Sequence, residues 1–366
     1  SQIRYQYHDH IAERFASAFA DTIGSWCEEH GIALTGHMME EPTLETQTAA
    51  LGEAMRSYRS FTIPGIDMLC DRRELSTAKQ AQSTVHQYGR EGMLSELYGV
   101  TNWDFDFRGH KLQGDWQAAL GVTVRVPHLT WTSMAGEAKR DYPASIGYQS
   151  PWYQEYPLVE NYFARLNTAL TRGVPHVRIG VIHPVESYWL FWGPKDQTAG
   201  IREEMDENFQ NLIRWMLYGT LDFDFIAESL LPELNQGQRE EAKLKVGCMN
   251  YEVVLVPNCM TLRSTTLEIL EAFRKRGGRV IFAGSLPTLE DALLSKRGSN
   301  LAKNCEVIPF GRYSLMKAFA RERDVEIKEK DGCASTNLIY QMREEGENRW
   351  LFLSHVYRTY EKNHQT

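Results

Sequence analysis

The sequence predicts an α/β protein: the last four units of a (β/α)8 barrel, then a flavodoxin-like doubly wound domain and a short β-hairpin segment. Three observations predict this fold class. The first half alternates short apolar runs with amphipathic stretches of helical period, which is typical of parallel strands joined by helices. The second half repeats the alternation with fully apolar, buried-type strands. Near the C-terminus, two runs of strand-forming residues flank a turn, which indicates a hairpin.

A leading helix and four strand-then-helix units account for the first half. The leading helix is expected over 11–30, and its apolar face is predicted to hold Ile11, Phe15, Phe19, Ile23 and Trp26. The four strands are predicted at 32–35, 61–69 (broken by Pro64 and Gly65), 93–98 and 122–129. The helices that follow them are predicted, in the same order, at 46–58, 76–88, 111–120 and 156–171. Because no strand precedes the leading helix, we expect the chain to begin in the middle of a barrel.

A second series of predicted strands and helices begins after Pro175. Strands are predicted at 177–182, 223–227, 251–256 and 279–283, and helices at 205–217 and 264–276. The hairpin is expected from 337–343 and 349–354. We therefore divide the chain into 1–175 as the barrel half, 176–335 as the doubly wound domain, and 336–366 as the start of a β-domain.

The composition argues against several classes of function. The 366 residues are 42% apolar, which suits two domains with substantial cores. A net charge of −8 argues against a nucleic-acid partner, and no apolar stretch approaches the ~20 residues of a membrane span. We expect no cofactor, because neither GxGxxG nor GxxxxGK[ST] occurs. The six cysteines contain no CxxC pair, and no metal is expected. No signal peptide is visible, so the compartment stays undetermined.

Glu96 is the main catalytic candidate. It lies in the motif 95–98 at the carboxyl end of a predicted strand, where barrel enzymes carry their active sites. Strand alternation places Leu94 and Glu96 on the inward face. Glycosidases use two carboxylates, ~5–5.5 Å apart for a nucleophile and ~6.5–9.5 Å apart when one activates water. A glutamate that merely pairs with a cation is the alternative. Two interpretations of Arg125 are equally favoured: its charge keeps Glu96 ionised, or it is a surface arginine.

Further polar and aromatic residues follow the other predicted strands. His37 is expected to bind a sugar hydroxyl, and Asp67 lies at the next strand end. Glu40 or Glu41 could act as acid, base or cation ligand, although a solvated acidic pair is preferred for Glu41. Loop aromatics stack on sugar rings, and the predicted substrate contacts are His37, Asp67, Trp103, His128 and Trp131. Packing alone is the alternative for each aromatic residue.

Cys259 is the one nucleophile candidate in the second half. It follows a predicted strand, as the nucleophile of class I amidotransferases does. Its neighbours, 257–261, form no glycine-flanked elbow, and no His-x-Glu follows at a suitable distance. We therefore reject catalysis at Cys259.

Short motifs in a consistent order give the first half a resemblance to a known family. It resembles the second half of the catalytic barrel of glycoside hydrolases, and looks closest to family 106 α-L-rhamnosidases. The motifs lie at 26–27, 34–37, 64–67, 95–99, 119–122, 127–129, 139–143 and 151–152. The segments 251–257 and 277–282 look like the non-catalytic amidotransferase-like domain of family 42 β-galactosidases, which helps oligomers form.

The resemblance implies a bacterial glycoside hydrolase that acts on a carbohydrate substrate. Glu96 would match the carboxylate after the seventh barrel strand, the nucleophile of retaining relatives or the base of an inverting one. The family's other catalytic acid would precede Ser1. The resemblance also implies a possible homo-oligomer through the flavodoxin-like domain. A non-catalytic carbohydrate-binding or structural protein with a degenerate barrel is the alternative function.

Overall fold

The structure, a computed structural model, describes residues 2–137, 144–236 and 242–358. The motif at 139–143 lies outside these residues. The fold is a mixed α/β arrangement with two parallel sheets, and one continuous apolar core joins its two halves. Among the described helices, none combines the length and apolarity needed to cross a bilayer.

The first half folds into a leading helical segment and four parallel strands with their connecting helices. In chain order its elements are α1 (Gln2–Phe15), a π-helical turn (Ala16–Asp21), α2 (Thr22–Glu29), β1 (Thr35–His37), α3 (Leu44–Ala50), a 3-10 helix (Met55–Ser60), β2 (Ile63–Met68), α4 (Leu75–Tyr88), β3 (Leu94–Leu97), α5 (Phe107–Ala119), β4 (Val124–Pro127), a 3-10 turn (Tyr153–Glu155) and α6 (Pro157–Leu170).

The first sheet has the order β1-β2-β3-β4, so each strand pairs with the next along the chain. This consecutive parallel order is the arrangement of neighbouring strands in a (β/α)8 barrel. The hydroxyl of Ser95 in β3 donates to Gln117 of α5, so this face of the sheet is covered by helices. Glu96, the next residue, therefore points to the opposite face.

The apolar face predicted for the leading helix is wrong. Phe19, Ile23 and Trp26 are exposed, whereas the buried positions are Ala12, Ala16, Ala20, Gly24 and Cys27. Small side chains face inward because the helix packs closely against the backbone. A Cβ at Gly24 would lie 2.7 Å from the carbonyl oxygen of Ser60. The helix also begins at Gln2, nine residues earlier than predicted.

Several other boundaries differ from prediction for local reasons. Strand β1 begins at Thr35 and not at 32, and the helix predicted over 46–58 is two helices separated at 51–54. Helix α5 begins at Phe107 and not at 111, because the side chain of Asp106 accepts from two backbone amides and caps it. Strand β2 runs unbroken through Pro64 and Gly65. A Cβ at Gly65 would lie 2.5 Å from the Gly36 carbonyl oxygen, so this glycine permits close strand approach.

The second half contains a five-stranded parallel sheet and smaller accessory strands. In chain order its elements are β5 (Val174–Pro175), β6 (Ile179–Ile182), α7 (Val185–Trp189), α8 (Lys195–Tyr218), β7 (Phe223–Ile226), α9 (Leu231–Leu234), β8 (Leu244–Val246), β9 (Met249–Tyr251), β10 (Val253–Pro257), β11 (Thr261–Leu262), α10 (Ser264–Lys275), β12 (Arg279–Ala283), β13 (Leu289–Glu290), β14 (Leu293–Leu294), α11 (Arg297–Ala302), β15 (Glu306–Ile308), α12 (Arg312–Ala318), β16 (Leu338–Glu345) and β17 (Asn348–His355).

The second sheet has the order β15-β12-β10-β6-β7, which is 5-4-3-1-2 in order of appearance along the chain. Doubly wound sheets of the flavodoxin type have the same order. The assignment of 176–335 to a separate flavodoxin-like domain stays a prediction. Helix α8 begins at Lys195, ten residues before the predicted start, because its polar first turns lack the apolar periodicity that marks its buried end.

The C-terminal hairpin is present and belongs to a small antiparallel sheet. Strands β16 and β17 pair over their full length, and β16 also pairs with β5, which lies at the junction of the two halves. Gly173 makes this approach possible, since a Cβ there would lie 2.0 Å from the carbonyl oxygen of Glu344. The hairpin therefore packs against the first half of the chain, and its assignment to a further β-domain stays a prediction.

Helix α4 lies between the two large sheets. Every residue from Leu75 to Gln87 is buried. Lys79 donates to Asp222 at 2.6 Å, and His86 Nδ1 lies 2.9 Å from Asp224 on β7. Burial by itself would raise the pKa of Asp224, but His86 and Lys79 lower it. A buried, paired charge network therefore connects the two halves.

Replacing Lys79 with Met should destabilise the protein strongly. The substitution leaves the buried carboxylate of Asp222 without its cation and removes Lys79 from the neighbourhood of Asp224, and breaking such a buried pair typically costs about 3–5 kcal/mol in the free energy of unfolding. Urea unfolding followed by circular dichroism measures the change. Lys111→Met is the matched control, because its pair with Asp115 is half exposed and should cost no more than about 1 kcal/mol. Equal losses in the two variants would contradict the importance of the network.

Candidate functional site

The register of the first sheet places Asp67 and Glu96 side by side. Asp67 of β2 pairs directly with Glu96 of β3, so both side chains leave the sheet at the same height and on the same face. Both lie at the carboxyl ends of their strands. Their carboxylate oxygens are within 4.8 Å of each other. Two neighbouring strands thus create an acidic pair that is open to solvent.

Two histidines flank Glu96. Nε2 of His37, at the end of β1, lies 3.7 Å from one carboxylate oxygen of Glu96, and Nε2 of His128, after β4, lies 4.0 Å from the other. His128 is held by its backbone amide, which donates to the carbonyl of Leu97. Its ring packs against Gly99, where a Cβ would lie 2.8 Å away. Consecutive strands therefore surround Glu96 with groups that donate or accept protons.

The surroundings of Asp67 raise the pKa of its carboxyl above the ordinary value. Burial raises the pKa of Asp67, and the negative charge of Glu96 raises it further, while His37 and His128 act in the opposite direction. Its Oδ1 is buried without a hydrogen-bond partner among the described residues. A half-buried carboxyl with a free oxygen beside a second carboxylate can hold a proton at a pH where a solvated aspartate has lost it.

The loops after the strands carry backbone strain and aromatic side chains. Glu40, Cys70 and Tyr98 follow β1, β2 and β3 respectively, and each has a positive φ although none is glycine. Such conformations concentrate at functional sites. The rings of Trp103 and Trp131, on the loops after β3 and β4, lie 6.1 Å apart between centroids. The loops thus place two partly exposed indoles together at the carboxyl end of the strands, the end at which Glu96 lies.

The four predicted residues His37, Asp67, Glu96 and His128 meet in one site, and Trp103 and Trp131 meet each other. Their roles in binding or catalysis stay predictions. His37, Asp67 and Glu96 also have ligand atoms close enough to converge on one cation. No metal is predicted from the sequence, and the three ligand atoms are nevertheless compatible with one.

Both interpretations of Arg125 are wrong. The register pairs Arg125 with Ser95, so its side chain points to the helical face, away from Glu96. There it bonds Glu160 at 2.6 Å, lies over the ring of Phe163 and is almost fully buried. Alternation along β4 separates its residues into two faces, but only the register with β3 shows that Arg125 lies on the helical face.

The preference for a solvated Glu41 is also wrong. Glu41 is buried, and the hydroxyl of Tyr58 donates to its Oε1 at 3.3 Å. Burial raises the pKa of Glu41. The Tyr58 oxygen also lies 2.8 Å from the carbonyl oxygen of Gly65 in β2, so the two acceptors share its one hydrogen. Glu41 therefore belongs to the packed layer beneath the loop after β1, and the adjacent Glu40 is the exposed member of the pair.

The chain bends sharply directly after β10, and Asn258 occupies the bend. Asn258, directly after β10, has a φ of 43°, and its side chain accepts from the amide of Ser285. Cys259 is buried beyond the bend, and burial raises the pKa of its thiol well above the ordinary value. A buried, protonated thiol is a poor nucleophile, in agreement with the rejection of Cys259.

Comparisons by sequence and by structure give different results. No protein-family model matches the sequence, and no curated protein matches it either. Solved structures do match. A rhamnosidase from Novosphingobium sp. PP1Y superposes with a TM-score of 0.70 at 17% identity, over 95% of this chain and 34% of that protein.

Two β-galactosidases also match. The enzyme from Bacillus circulans sp. alkalophilus has a TM-score of 0.55 and that from Rahnella sp. R3 a TM-score of 0.54, each at 14% identity over 80% of this chain and 42% of the other. The chain thus spans between a third and a half of these proteins. At such identities the likeness establishes the fold alone. The predicted glycoside-hydrolase-like fold is confirmed at this level.

Asp67→Asn should stabilise the protein at neutral pH. Because the pKa of Asp67 is raised in the folded state, the native protein binds a proton more tightly than the unfolded chain does. The free energy of unfolding therefore falls as the pH rises from about 4, the pKa of the aspartate in the unfolded chain, through its higher pKa in the folded protein. The uncharged amide avoids this loss, so we expect the Tm at pH 7 to rise by roughly 1–3 °C, with no difference at pH 3.

Thermal unfolding of wild type and D67N at both pH values checks this expectation. The control is Asp104→Asn, an exposed aspartate on the loop after β3, which should leave the Tm unchanged. A lower Tm for D67N at pH 7 would mean that the carboxylate is stabilised by its surroundings.

Proposed function

We propose that this chain forms part of a glycoside hydrolase and that Glu96 is a catalytic carboxylate, acting as nucleophile or as base. The observation that carries the proposal is the position of Glu96: at the carboxyl end of a parallel strand, accessible to solvent, and between Asp67, His37 and His128. The glycosidase-like fold and the strained loops after β1, β2 and β3 support it.

The reaction is hydrolysis of an O-glycosidic bond through an oxocarbenium-like transition state. As a nucleophile, Glu96 attacks the anomeric carbon and forms a glycosyl ester, which water then cleaves; as a base, it takes a proton from the attacking water. The imidazoles of His37 and His128 stay close to its carboxylate, where their N–H groups can hold it in position. Both roles require Glu96 ionised during the bond-forming step.

Asp67 is proposed as a substrate-binding residue. Glycosidase pairs lie on opposite sides of the scissile bond, ~5–5.5 Å or ~6.5–9.5 Å apart. Asp67 and Glu96 lie side by side on adjacent strands with oxygens within 4.8 Å, so they cannot enclose a sugar ring between them. The half-buried carboxyl of Asp67 instead suits a hydrogen bond to a sugar hydroxyl. The proton donor to the leaving group is proposed to come from a barrel strand that precedes this segment.

The finer assignments belong to the same proposal. We propose 1–175 as the C-terminal half of a TIM-type barrel related to family 106 α-L-rhamnosidases, 176–335 as a flavodoxin/amidotransferase-like domain, and 336–366 as the start of a β-domain. The consecutive strand order of the first sheet and the match to the rhamnosidase fold support the assignment of 1–175. The strand order of the second sheet supports the assignment of 176–335. A carbohydrate is the proposed substrate, and self-association is proposed to use 176–335.

Glu96→Gln tests the catalytic role. The amide keeps the shape of the side chain but can neither attack carbon nor accept a proton, so we expect at least a roughly 10³-fold fall in kcat with an unchanged Tm. Hydrolysis is measured with a panel of nitrophenyl glycosides that includes α-L-rhamnoside and β-D-galactoside, in this chain and in the full-length product containing it. Glu29→Gln, an exposed position at the end of α2, is the matched control.

Near-normal rates in E96Q would overturn the assignment. Saturable sugar binding by calorimetry, without hydrolysis of any glycoside by the wild-type full-length product, would instead establish the alternative of a carbohydrate-binding protein. The two outcomes are distinct because the calorimetric measurement does not depend on turnover.

Trp131→Ala should weaken sugar binding. The indole of Trp131 offers an apolar face next to that of Trp103, and losing a stacked ring typically costs about 0.5–1.5 kcal/mol beyond the area it covers. We expect the Kd or KM to rise roughly three- to tenfold while kcat changes less. The control is Trp26→Ala, on the exposed side of the leading helix. A fall in kcat alone would argue against stacking on the substrate.

A further inference from the structure

His176 lies where three parts of the chain meet. It stands in the short link between β5 and β6, at the junction of the two halves. Its backbone amide donates to the carbonyl of Met342 in β16, which extends the pairing of β5 with the hairpin. Only 13% of its side chain is exposed. The proposed hydrolysis makes no use of this histidine.

Both ring nitrogens of His176 face carboxylates. Nε2 lies 3.1 Å from Oδ2 of Asp324, which follows α12 in the second half, and Nδ1 lies 2.9 Å from Oε1 of Glu344 in the hairpin. A neutral imidazole has one N–H, so its other nitrogen would direct a lone pair at an oxygen that can only accept. The imidazolium ion donates from both nitrogens. The geometry therefore fits the protonated ring, which links the hairpin to the second half.

A proton on the ring also balances the charges around it. The charged groups that face the ring, directly or through its two carboxylates, are Asp324, Glu344, Glu252, Arg178 and Arg349. Arg178 lies 3.5 Å from Asp324 and 2.7 Å from Glu252. Arg349 lies 2.8 Å from Glu344. Three carboxylates thus share two guanidinium groups, and the imidazolium ion supplies the third positive charge.

The same contacts favour the charged form of the ring. The hydrogen bond to Asp324 raises the pKa of His176 above its ordinary value, burial acts against it, and Glu344 raises it further. The contact with His176 in turn lowers the pKa of Asp324, although burial by itself would raise it. Tyr340 of β16 stays protonated because burial raises its pKa. The guanidinium of Arg343, next to Glu344 in the strand, donates to two backbone carbonyls of the first half.

We propose that His176 is a pH-dependent clasp that, in its protonated form, holds the C-terminal hairpin to the second half at the junction. Loss of the proton leaves Asp324 and Glu344 on two sides of a neutral ring, which can donate to only one of them. The other contact then opens, and the hairpin loses its charged link to the segment after α12. Because the hairpin also packs against α5, the clasp connects contacts on both sides of the junction.

The Tm of His176→Asn relative to wild type tests the clasp. Because the pKa of His176 is raised in the folded state, the stabilisation is complete below about pH 6.5, the pKa of histidine in the unfolded chain, and is lost as the pH rises through the folded pKa. We therefore expect the Tm of the variant to be roughly 2–5 °C lower at pH 5.5 and nearly equal to that of wild type at pH 9.

His10→Asn is the matched control, because His10 is exposed in α1, and its Tm should stay within about 1 °C of wild type at pH 5.5. A difference between wild type and H176N that is as large at pH 9 as at pH 5.5 would show that the ring contributes packing alone, and would overturn the proposal.

An NMR titration of the ring follows the proton directly. In protein labelled with ¹³C-histidine, the resonance of His176 is the one that H176N lacks. We expect its midpoint above 6.5, the ordinary value for histidine. A midpoint at or below 6.5 would overturn the proposal.

Hydrogen exchange in the wild-type chain gives a readout that needs no variant. Exchange times are scaled to the intrinsic rate at each pH, so that only changes in protection are measured. We expect the junction, 172–178, and β16 to lose protection roughly three- to tenfold between pH 6 and pH 9, while β12 keeps its protection. Unchanged protection of the junction and β16 would mean that the proton on His176 does not hold the hairpin, and the proposal would fail.

Discussion

The buried charge network around α4 is the interaction on which the rest of the structure depends. Lys79 and His86 extend from a helix that also covers the first sheet, and they bind Asp222 and Asp224 of the second half. Each charge is removed from water, so each is stable only while its partner is present. The hydroxyl of Tyr251 donates to Asp224 as well, which satisfies another of its lone pairs. The two sheets thus share one helix, and neither is complete without it.

This shared helix also determines how the candidate site is supported. Helix α4 packs against β2, the strand that carries Asp67, so the position of the acidic pair depends on the same packing that joins the halves. The charged groups of the site point away from the helices, whereas Ser95 and Arg125 point toward them. The helical face of the sheet serves stability, and the charged groups lie at the carboxyl ends of the strands, where (β/α)8 barrels have their active sites.

Sequence reasoning succeeded where a local signal decides the outcome. Gly89 ends α4 in a left-handed conformation, β12 covers 279–283 as predicted, and alternation correctly placed Glu96 opposite to Ser95. It failed where the outcome depends on distant parts of the chain. The leading helix buries its small residues because Ser60 and its neighbours approach closely. The orientation of Arg125 depends on the register with β3, and the burial of Glu41 on Tyr58.

The register between β2 and β3 has a consequence for any motion of the molecule. Asp67 and Glu96 belong to directly paired positions of one hydrogen-bonded ladder. A hinge between the two halves would carry both carboxylates as one rigid piece, and their spacing would change only if the ladder itself broke. The electrostatic coupling of this pair would therefore persist through any such movement, whereas Trp103 and Trp131 lie on separate loops whose spacing no strand ladder fixes.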